Sequence, residues 1–343
     1  MTSPELSTSG SSLTERPTRE LTRFTPDDDL LHDAISAAGP LARESLLLTA
    51  PIPEEKLLVF CYLWREGGTK WGRFVFVAGE DMAKPLFLSH VDDAPFEGES
   101  LRDFTLAGLH WRQPDPLKSA EVSFAESSAS GTSIGTGDGL ELEIRFDGIH
   151  EPFSWHDNAD GCPDWVAHDR YEQSGVTRGK LTLTSADARS AGAPLVRTVE
   201  FTGAGHRDHS WGTRDWNYLQ HWKWMNAATP DGAASLHCML MSVKGETLVN
   251  GYINTAGAVS PIVDGKATAD LDDQMIHRAI SGVFHDELGR EMRLEARYAA
   301  GWSMPIQHLL LNEIGMTATL DDAPATAHIE LGWPAGYVEN LTR

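Results

Sequence analysis

Basic residues are scarce in this chain: 28 lysines and arginines stand against 50 aspartates and glutamates among 343 residues, a formal net charge of −22. Phosphate backbones and anionic lipid surfaces are gripped by clustered Lys and Arg, and a negative field of this size repels them. Nucleic acid and membrane-surface partners are therefore not expected. Cysteine is equally scarce. Cys61, Cys162 and Cys238 are too few and too widely spaced for a disulfide framework or a CxxC zinc site, and they read as small buried thiols. No run of about 18 apolar residues occurs, so there is no membrane span. Met1–Thr25 lacks the apolar stretch of a signal peptide, and a cytoplasmic location is expected. Neither a GxGxxG opening a helix after a strand nor a GxxxxGKS/T is present, which leaves nucleotide-dependent chemistry without support and no cofactor expected.

What the chain does have is apolar mass. Hydrophobic residues make up 41 %, with 11 Trp and 12 Phe, enough to bury a sizeable core. Residues 1–26 are rich in Ser, Thr, Pro and Glu without periodicity and read as a disordered tail. Asp27, Asp28 and Asp29 then precede Leu30, Leu31, Ala34, Ile35 and Ala38. That pattern places acids at the positive end of a short N-terminal helix, which Gly39-Pro40 stops.

Beyond that point the punctuation is that of a β protein. Lys56–Trp64 and Trp71–Val77 flank the turn Arg65–Lys70 as a hairpin. Short β-rich runs follow at Phe104–Trp111, Val122–Phe124, Leu140–Phe146, Gly179–Leu183 and Val196–Thr202. They continue at Trp222–Ala227, Ser235–Ser242, Thr247–Ile253, Ala279–Phe284, Glu291–Tyr298 and Glu313–Leu320. Turn pairs such as Asp231-Gly232, Lys244-Gly245, Asp264-Gly265 and Leu288-Gly289 separate many of them. So many strands with almost no helical periodicity predict an all-β fold of two barrel or sandwich domains, over 27–216 and 217–343. Ser123–Gly139 reads as an exposed loop.

Two tempting motifs carry no weight. Gly131-Thr-Ser-Ile-Gly135 matches the GxSxG of serine hydrolases but lies in a Ser/Gly stretch with no strand and helix around it. His156, Asp157, Asp160, Cys162, Asp164 and His168 lack the ligand spacing of a zinc finger or an HExxH helix, and read as a solvated, Asp-rich loop rather than a metal site.

Gly203-Ala-Gly-His-Arg-Asp-His-Ser-Trp-Gly-Thr-Arg-Asp-Trp216 is the densest run of polar chemistry and aromatics, and four of the 11 Trp fall between Trp211 and Trp224. In an extended chain His206, Asp208, Ser210, Arg214 and Trp216 point one way and Arg207, His209, Trp211 and Asp215 the other. Neither face is apolar. Buried Arg, Asp and His groups cost several kcal/mol unless paired, so such a strand either borders a polar cavity or forms a buried charge network.

This motif, preceded by Tyr171-Glu-Gln-Ser-Gly175 and followed by Trp222-Lys-Trp-Met225 and the Asp231-Gly232 turn, resembles the lipocalin-like AttH/carotenoid 1,2-hydratase (hydroxyneurosporene synthase) superfamily. It is closest to the bacterial branch with Arg-Asp-His-Ser-Trp-Gly. The resemblance implies two lipocalin-like β domains with the motif near their junction and a cavity for a hydrophobic molecule. Members of the superfamily include hydratases of isoprenoid double bonds and cyclases of natural products. His209 and Trp211 match the hydratases' His-Asn-Trp core, Ser210 replaces the Asn, and Leu236–Met241 supplies no counterpart to their further acidic and aromatic residues.

Chemistry on an unactivated alkene begins with proton delivery from an acid still protonated near neutral pH. Burial against indoles raises a carboxyl pKa, and Asp208 beside Trp211 and Trp216 is the candidate, with His209 and His206 as further acid/base groups. Arg207, Arg214, Asp215, Trp211, Trp216, Tyr171, Glu172, Trp222 and Trp224 are the candidate substrate-binding residues. A guanidinium within about 4–6 Å would instead hold Asp208 ionised. Which Asp pairs with which Arg is open at this level. Two functions fit: a cofactor-independent hydratase, isomerase or cyclase acting on an isoprenoid, steroid-like or polycyclic molecule, or a carrier of the same fold that holds an apolar ligand unchanged.

Overall fold

The computed structural model describes residues 20–33, 39–126, 139–185 and 195–341. The GxSxG tract, residues 1–19 of the tail and the second half of the anticipated N-terminal helix lie outside them. Pro26–Asp29 is a 3-10 turn. Its last acid is not at a solvated helix end: Asp29 is buried and accepts hydrogen bonds from the Leu117 backbone N–H and the Tyr171 hydroxyl.

The fold is all-β. The first twelve strands are β1 (Ala42–Ile52), β2 (Leu57–Glu66), β3 (Lys70–Ala78), β4 (Phe87–Ala94), β5 (Phe96–Ser100) and β6 (Asp103–Leu106), then β7 (Leu109–Arg112), β8 (Ser119–Glu126), β9 (Gly139–Gly148), β10 (Phe153–Ser154), β11 (Asp169–Ser185) and β12 (Leu195–Thr213). They form one antiparallel sheet in the order 4-3-2-1-12-11-9-8-7-6-5, with β10 on β11. The remaining eight close a barrel in sequence order: β13 (His221–Ala228), β14 (Ala234–Val243), β15 (Glu246–Thr255), β16 (Ala258–Leu271), β17 (His277–Asp286), β18 (Glu291–Ile306), β19 (Leu309–Leu320) and β20 (Ala323–Pro334). A short helix, α1 (Ala335–Leu341), follows. Among the described residues no helix is long and apolar enough to cross a membrane.

Alternation of side chains divides the buried apolar residues among three large clusters and a small fourth of Leu117, Tyr171 and Trp211. One lies inside the first sheet, around Val59, Val77, Phe104, Trp111, Ile144 and Leu181. A second fills the barrel, around Met225, Cys238, Phe284, Leu294, Ile314 and Ile329. The third joins the two sheets through Phe60, Phe76, Trp155, Trp222, Trp224 and Met239. At about 1.5–3 kcal/mol for each large apolar side chain buried, this third layer is what docks barrel to sheet. All three cysteines are free and buried, and burial pushes the Cys61 and Cys162 thiols up to about 12.

The structure departs from the sequence reading in several places. Phe104–Trp111 is two strands, since Ala107 and Gly108 both take positive φ and turn the chain. Asp264-Gly265 is no turn. It sits inside β16, beside a register shift between Ile262 and Asp264. The sequence reading does not single out strands β1, β4, β5, β10, β16 and β20 or helix α1. The Asp-rich segment from Trp155 onward is solvated on one side only: His156, Asp160, Asp164 and His168 are exposed, while Trp155, Asp157, Asn158, Cys162 and Val166 are buried. Asn158 ties it to the barrel, donating to the Gly251 carbonyl at 2.9 Å while accepting from the Gly251 N–H at 2.9 Å.

Candidate functional site

Where the first sheet meets the barrel the apolar layer is incomplete and leaves a cavity of about 410 Å³, within the range of small-molecule sites. One wall comes from Ser45 and Leu47 on β1, Phe60 and Tyr62 on β2, Arg170 on β11 and Asp208 on β12. The opposite wall is the outer face of the barrel, with Trp222, Trp224, Met239, Leu311, Glu313 and Glu330. Arg214 and Trp216 close one side, and the exposed Asp92 and Gln307 stand at the rim.

The even residues of β12 face this layer and the odd ones face away, because β12 is held in register by β1 and β11. Glu172 stands opposite Asp208, and Ser45 opposite Ser210. One buried guanidinium organises the polar floor. Arg170 Nη2 donates to Asp208 Oδ2 at 2.6 Å and its Nε to Glu172 Oε1 at 2.6 Å, with the Trp155 ring 5.0 Å beneath it. Glu172 also accepts from Trp224 Nε1 at 3.3 Å and lies 2.7 Å from His206 Nε2.

One cation thus faces two buried carboxyls, and it cannot neutralise both. Burial pushes both carboxyls up. For Glu172, Arg170 with His237 and His206 overcomes that and holds it well below the carboxylate range. For Asp208 burial wins. Arg170 pulls it down, but the neighbouring Glu172 charge adds to burial and the carboxyl stands at about 7. Among the described residues Asp208 Oδ1 has no hydrogen-bond partner.

The barrel wall holds a second acid pair. Glu313 and Glu330 are cross-strand partners on β19 and β20. Burial pushes Glu313 up to about 7, and burial together with Glu313 takes Glu330 well above its ordinary value. The Trp222 indole N–H donates to Glu330, and His328 Nε2 lies 2.9 Å from Glu313 Oε2.

The residues singled out from sequence separate between the two faces. Asp208, Arg214, Trp216, Trp222 and Trp224 line the cavity. Glu172 and His206 lie beneath its floor, in contact with each other. Arg207, His209, Trp211 and Tyr171 are on the reverse face. Arg207 donates to Gln173 Oε1 at 2.7 Å, His209 Nε2 lies 2.9 Å from Glu44 Oε1, Trp211 stacks on His32 at 3.8 Å, and Tyr171 bonds Asp29. Asp215 caps the 3-10 turn Trp216–Tyr218 by accepting from the Asn217 N–H. Neither motif arginine pairs with Asp208 or Asp215. Arg207 is 3.7 Å from Asp29, and Arg214 bonds neutral oxygens.

Among the described residues two groups could offer ligand atoms to a metal ion: Glu172, His206 and His237, and His32, Glu44 and His209. Both are already hydrogen-bonded. Arg170 and His206 occupy Glu172, while both imidazoles of the second group lie 2.9 Å from Glu44 Oε1 and, against burial, hold that carboxyl down at about 2.

A family model described as "Domain of unknown function (DUF7064)" matches residues 25–335. The chain belongs to that family. No curated protein matches it. The fold of this DUF7064 member is shared by solved structures at low identity. A Nitrosomonas europaea protein assigned as an AttH superposes with TM-score 0.58 at 14 % identity, covering 92 % of this chain and 98 % of that one. CghA with Sch210972 gives TM-score 0.56 at 11 % identity over 86 % and 89 %. Kievitone hydratase from Nectria haematococca gives 0.50 at 8 % over 88 % and 94 %. The AttH-type fold implied by the sequence resemblance is the fold observed.

Several site residues of the DUF7064 chain escaped the sequence reading: Arg170, Tyr62, Arg43, Glu313, Glu330 and His237. Arg170 had a usable signal, since it shares the alternation of Glu172 two residues on. Placing it against Asp208 requires the β11–β12 register, which nothing local fixes.

Proposed function

We propose that this chain is an enzyme that works by general acid/base catalysis on a hydrophobic small molecule, adding water to it, isomerising it or closing a ring. The observation that carries this reading is the single guanidinium of Arg170 shared by two buried carboxyls, Glu172 and Asp208, at the cavity; burial and the Glu172 charge raise Asp208 to about 7, so that part of the molecules carry its proton at neutral pH. An acid titrating near 7 is matched to proton transfer at neutral pH.

In the proposed reaction the Asp208 proton adds to an alkene carbon and leaves a cation on its neighbour. The indole faces of Trp216, Trp222 and Trp224 stabilise that cation by about 0.5–2 kcal/mol. Hydration follows when a water oxygen bonds to the cation and its proton returns to a cavity carboxylate. Isomerisation follows when an adjacent C–H bond instead gives its proton to a cavity carboxylate and its electrons form the new double bond; ring closure follows when a second double bond bonds to the cation and the new cation it leaves loses a proton or takes up water in the same way. Glu313 and Glu330, on the far wall, are the second acid/base pair available for that return.

Isoprenoid, steroid and polyketide substrates incubated with the wild type and with Asp208→Asn test the role of the acid. Turnover should fall by about 10²–10⁴ in the variant, and equal turnover would remove Asp208 from any acid role. A carrier function draws support from the 2.6 Å contact with Arg170, which favours an ionised, structural Asp208. Mass spectrometry of co-purified molecules separates the two: a substrate–product pair favours catalysis, a single unchanged ligand favours carriage.

A further inference from the structure

Among the described residues, buried arginines are matched to carboxylates with one exception. Arg73 pairs with Glu126 at 3.1 Å, Arg170 with Asp208 and Glu172 at 2.6 Å, and Arg207 lies 3.7 Å from Asp29. Arg214 is 8 % exposed and lines the cavity, yet every oxygen it bonds is neutral. Its Nε donates to the Val166 carbonyl at 3.2 Å, its Nη1 to Ser45 Oγ at 3.5 Å and its Nη2 to Ser210 Oγ. No carboxylate among the described residues lies within ion-pair distance. Burial lowers this guanidinium only to about 10, so it stays charged at neutral pH. A buried cation without its counter-charge is a costly feature to keep.

The surroundings add donors aimed at the same corner. Tyr62 lines the cavity; its phenolic oxygen accepts from Arg43 Nη2 at 3.2 Å, and its hydroxyl, within reach of Ser45, can turn to a ligand oxygen. Ser45 and Ser210 bond one another at 3.0 Å and fix the position of Arg214, while the Trp216 ring lies 5.2 Å from its guanidinium carbon. Apart from the Glu313–Glu330 pair, the far wall is apolar, with Met239, Leu309 and Leu311 beside Trp222 and Trp224.

We infer that the ligand of this cavity is an amphiphile with an acidic oxygen head, a carboxylate or a delocalised enolate, which seats on Arg214 and Tyr62 and lays its apolar body against the barrel wall. The inference rests on the same cavity being the ligand site proposed above. The planar guanidinium accepts two oxygens of such a head side by side, which a lone alcohol cannot supply. The overall charge of −22 does not oppose this, because exposed charges beyond about 8 Å are screened at physiological salt while the contact pair is not.

The test uses ligands of one skeleton and the full-length protein. Farnesoic acid, methyl farnesoate and farnesol are titrated while the fluorescence of Trp64, Trp216, Trp222 and Trp224 is followed, and a 3-alkyl-4-hydroxycoumarin provides the enolic head. At pH 7.5 an acidic ligand should bind at least about tenfold more tightly than ester and alcohol. The preference should vanish in Arg214→Gln, shrink in Tyr62→Phe and survive in part in Arg214→Lys. In the wild type it should also vanish for farnesoic acid below about pH 4, where that ligand is neutral. Carboxylate preference alone assigns the head to a carboxylic acid, coumarin preference alone to an enol. Equal binding of acid, ester and alcohol, or a preference that survives unchanged in Arg214→Gln, overturns the inference and leaves the enzyme proposal intact. No binding by any of them overturns both. Tight acid binding through Arg214 in a protein that turns over nothing keeps this inference and sinks the proposed enzyme.

Discussion

Glu313 of β19 and Glu330 of β20 are direct cross-strand partners, and both face the same cavity. Two carboxyls so placed cannot both ionise out of water, and each titrates above its ordinary value. The sign of the stability effect follows. Below about pH 4.5 the carboxyls are protonated in both folded and unfolded chains and cost nothing. As pH rises the unfolded chain ionises first, so stability is lost from there up through pH 7 and beyond. Glu330→Gln removes one share of that loss. Urea unfolding should find the variant equal to the wild type near pH 4 and more stable by on the order of 2 kcal/mol at pH 8. A difference of the same size at both pH values would show that the pair does not titrate in this way.

Asp208 gives a kinetic counterpart. If its proton starts the reaction, turnover requires the protonated form and should decline as pH rises through about 7. Arg170→Met should move that limb upward, because the guanidinium that favours the charged form is gone while Glu172 remains. A limb that stays in place in Arg170→Met would assign the titration to another group.

The fold class was legible because alternating apolar residues and Gly turns are written locally. Strand β12 shows how far the same logic reaches. The period of two correctly put His206, Asp208 and Ser210 on one face and Arg207, His209 and Trp211 on the other; Arg214 and Trp216 lie past the end of the strand and reach the cavity from the segment that follows it. It could not say which face meets the cavity, because the reverse face is polar as well, its charges met by Glu44, Asp29 and Gln173 from distant segments. Strand β1 escaped notice although it supplies Ser45 and Leu47. Its burial on both faces removes the alternation that betrays a strand. Arg170 and the Glu313–Glu330 pair depend on register between strands, and register is a property of the closed sheet.

Gly332 is predicted to be a position where packing alone shapes the site. Trp222 of β13 lies across it, and a methyl group there would meet the indole at 2.1 Å. Gly332→Ala should displace Trp222 toward the cavity at a cost of about 1–3 kcal/mol. Near-ultraviolet circular dichroism should report the moved indole, and ligand-induced fluorescence changes should weaken. Retention of full ligand affinity would remove Trp222 from the binding wall.

Two buried arginines on the same cavity should respond in opposite ways to truncation. Arg170 neutralises Glu172 and holds Asp208, so Arg170→Ala leaves Glu172 as a buried charge with only neutral imidazoles and an indole around it, and should cost about 3–5 kcal/mol. Arg214 neutralises nothing among the described residues. Its removal frees two serine hydroxyls that already bond one another and one carbonyl beside a cavity that water can enter, so Arg214→Ala should cost only about 1 kcal/mol. Denaturant unfolding of the two variants at pH 7 decides it, and ligand titration of the same samples should show the larger defect in Arg214→Ala. Comparable stability losses would mean that Arg214 is held by a counter-charge and serves the scaffold, and its place in the ligand site would fall with that result.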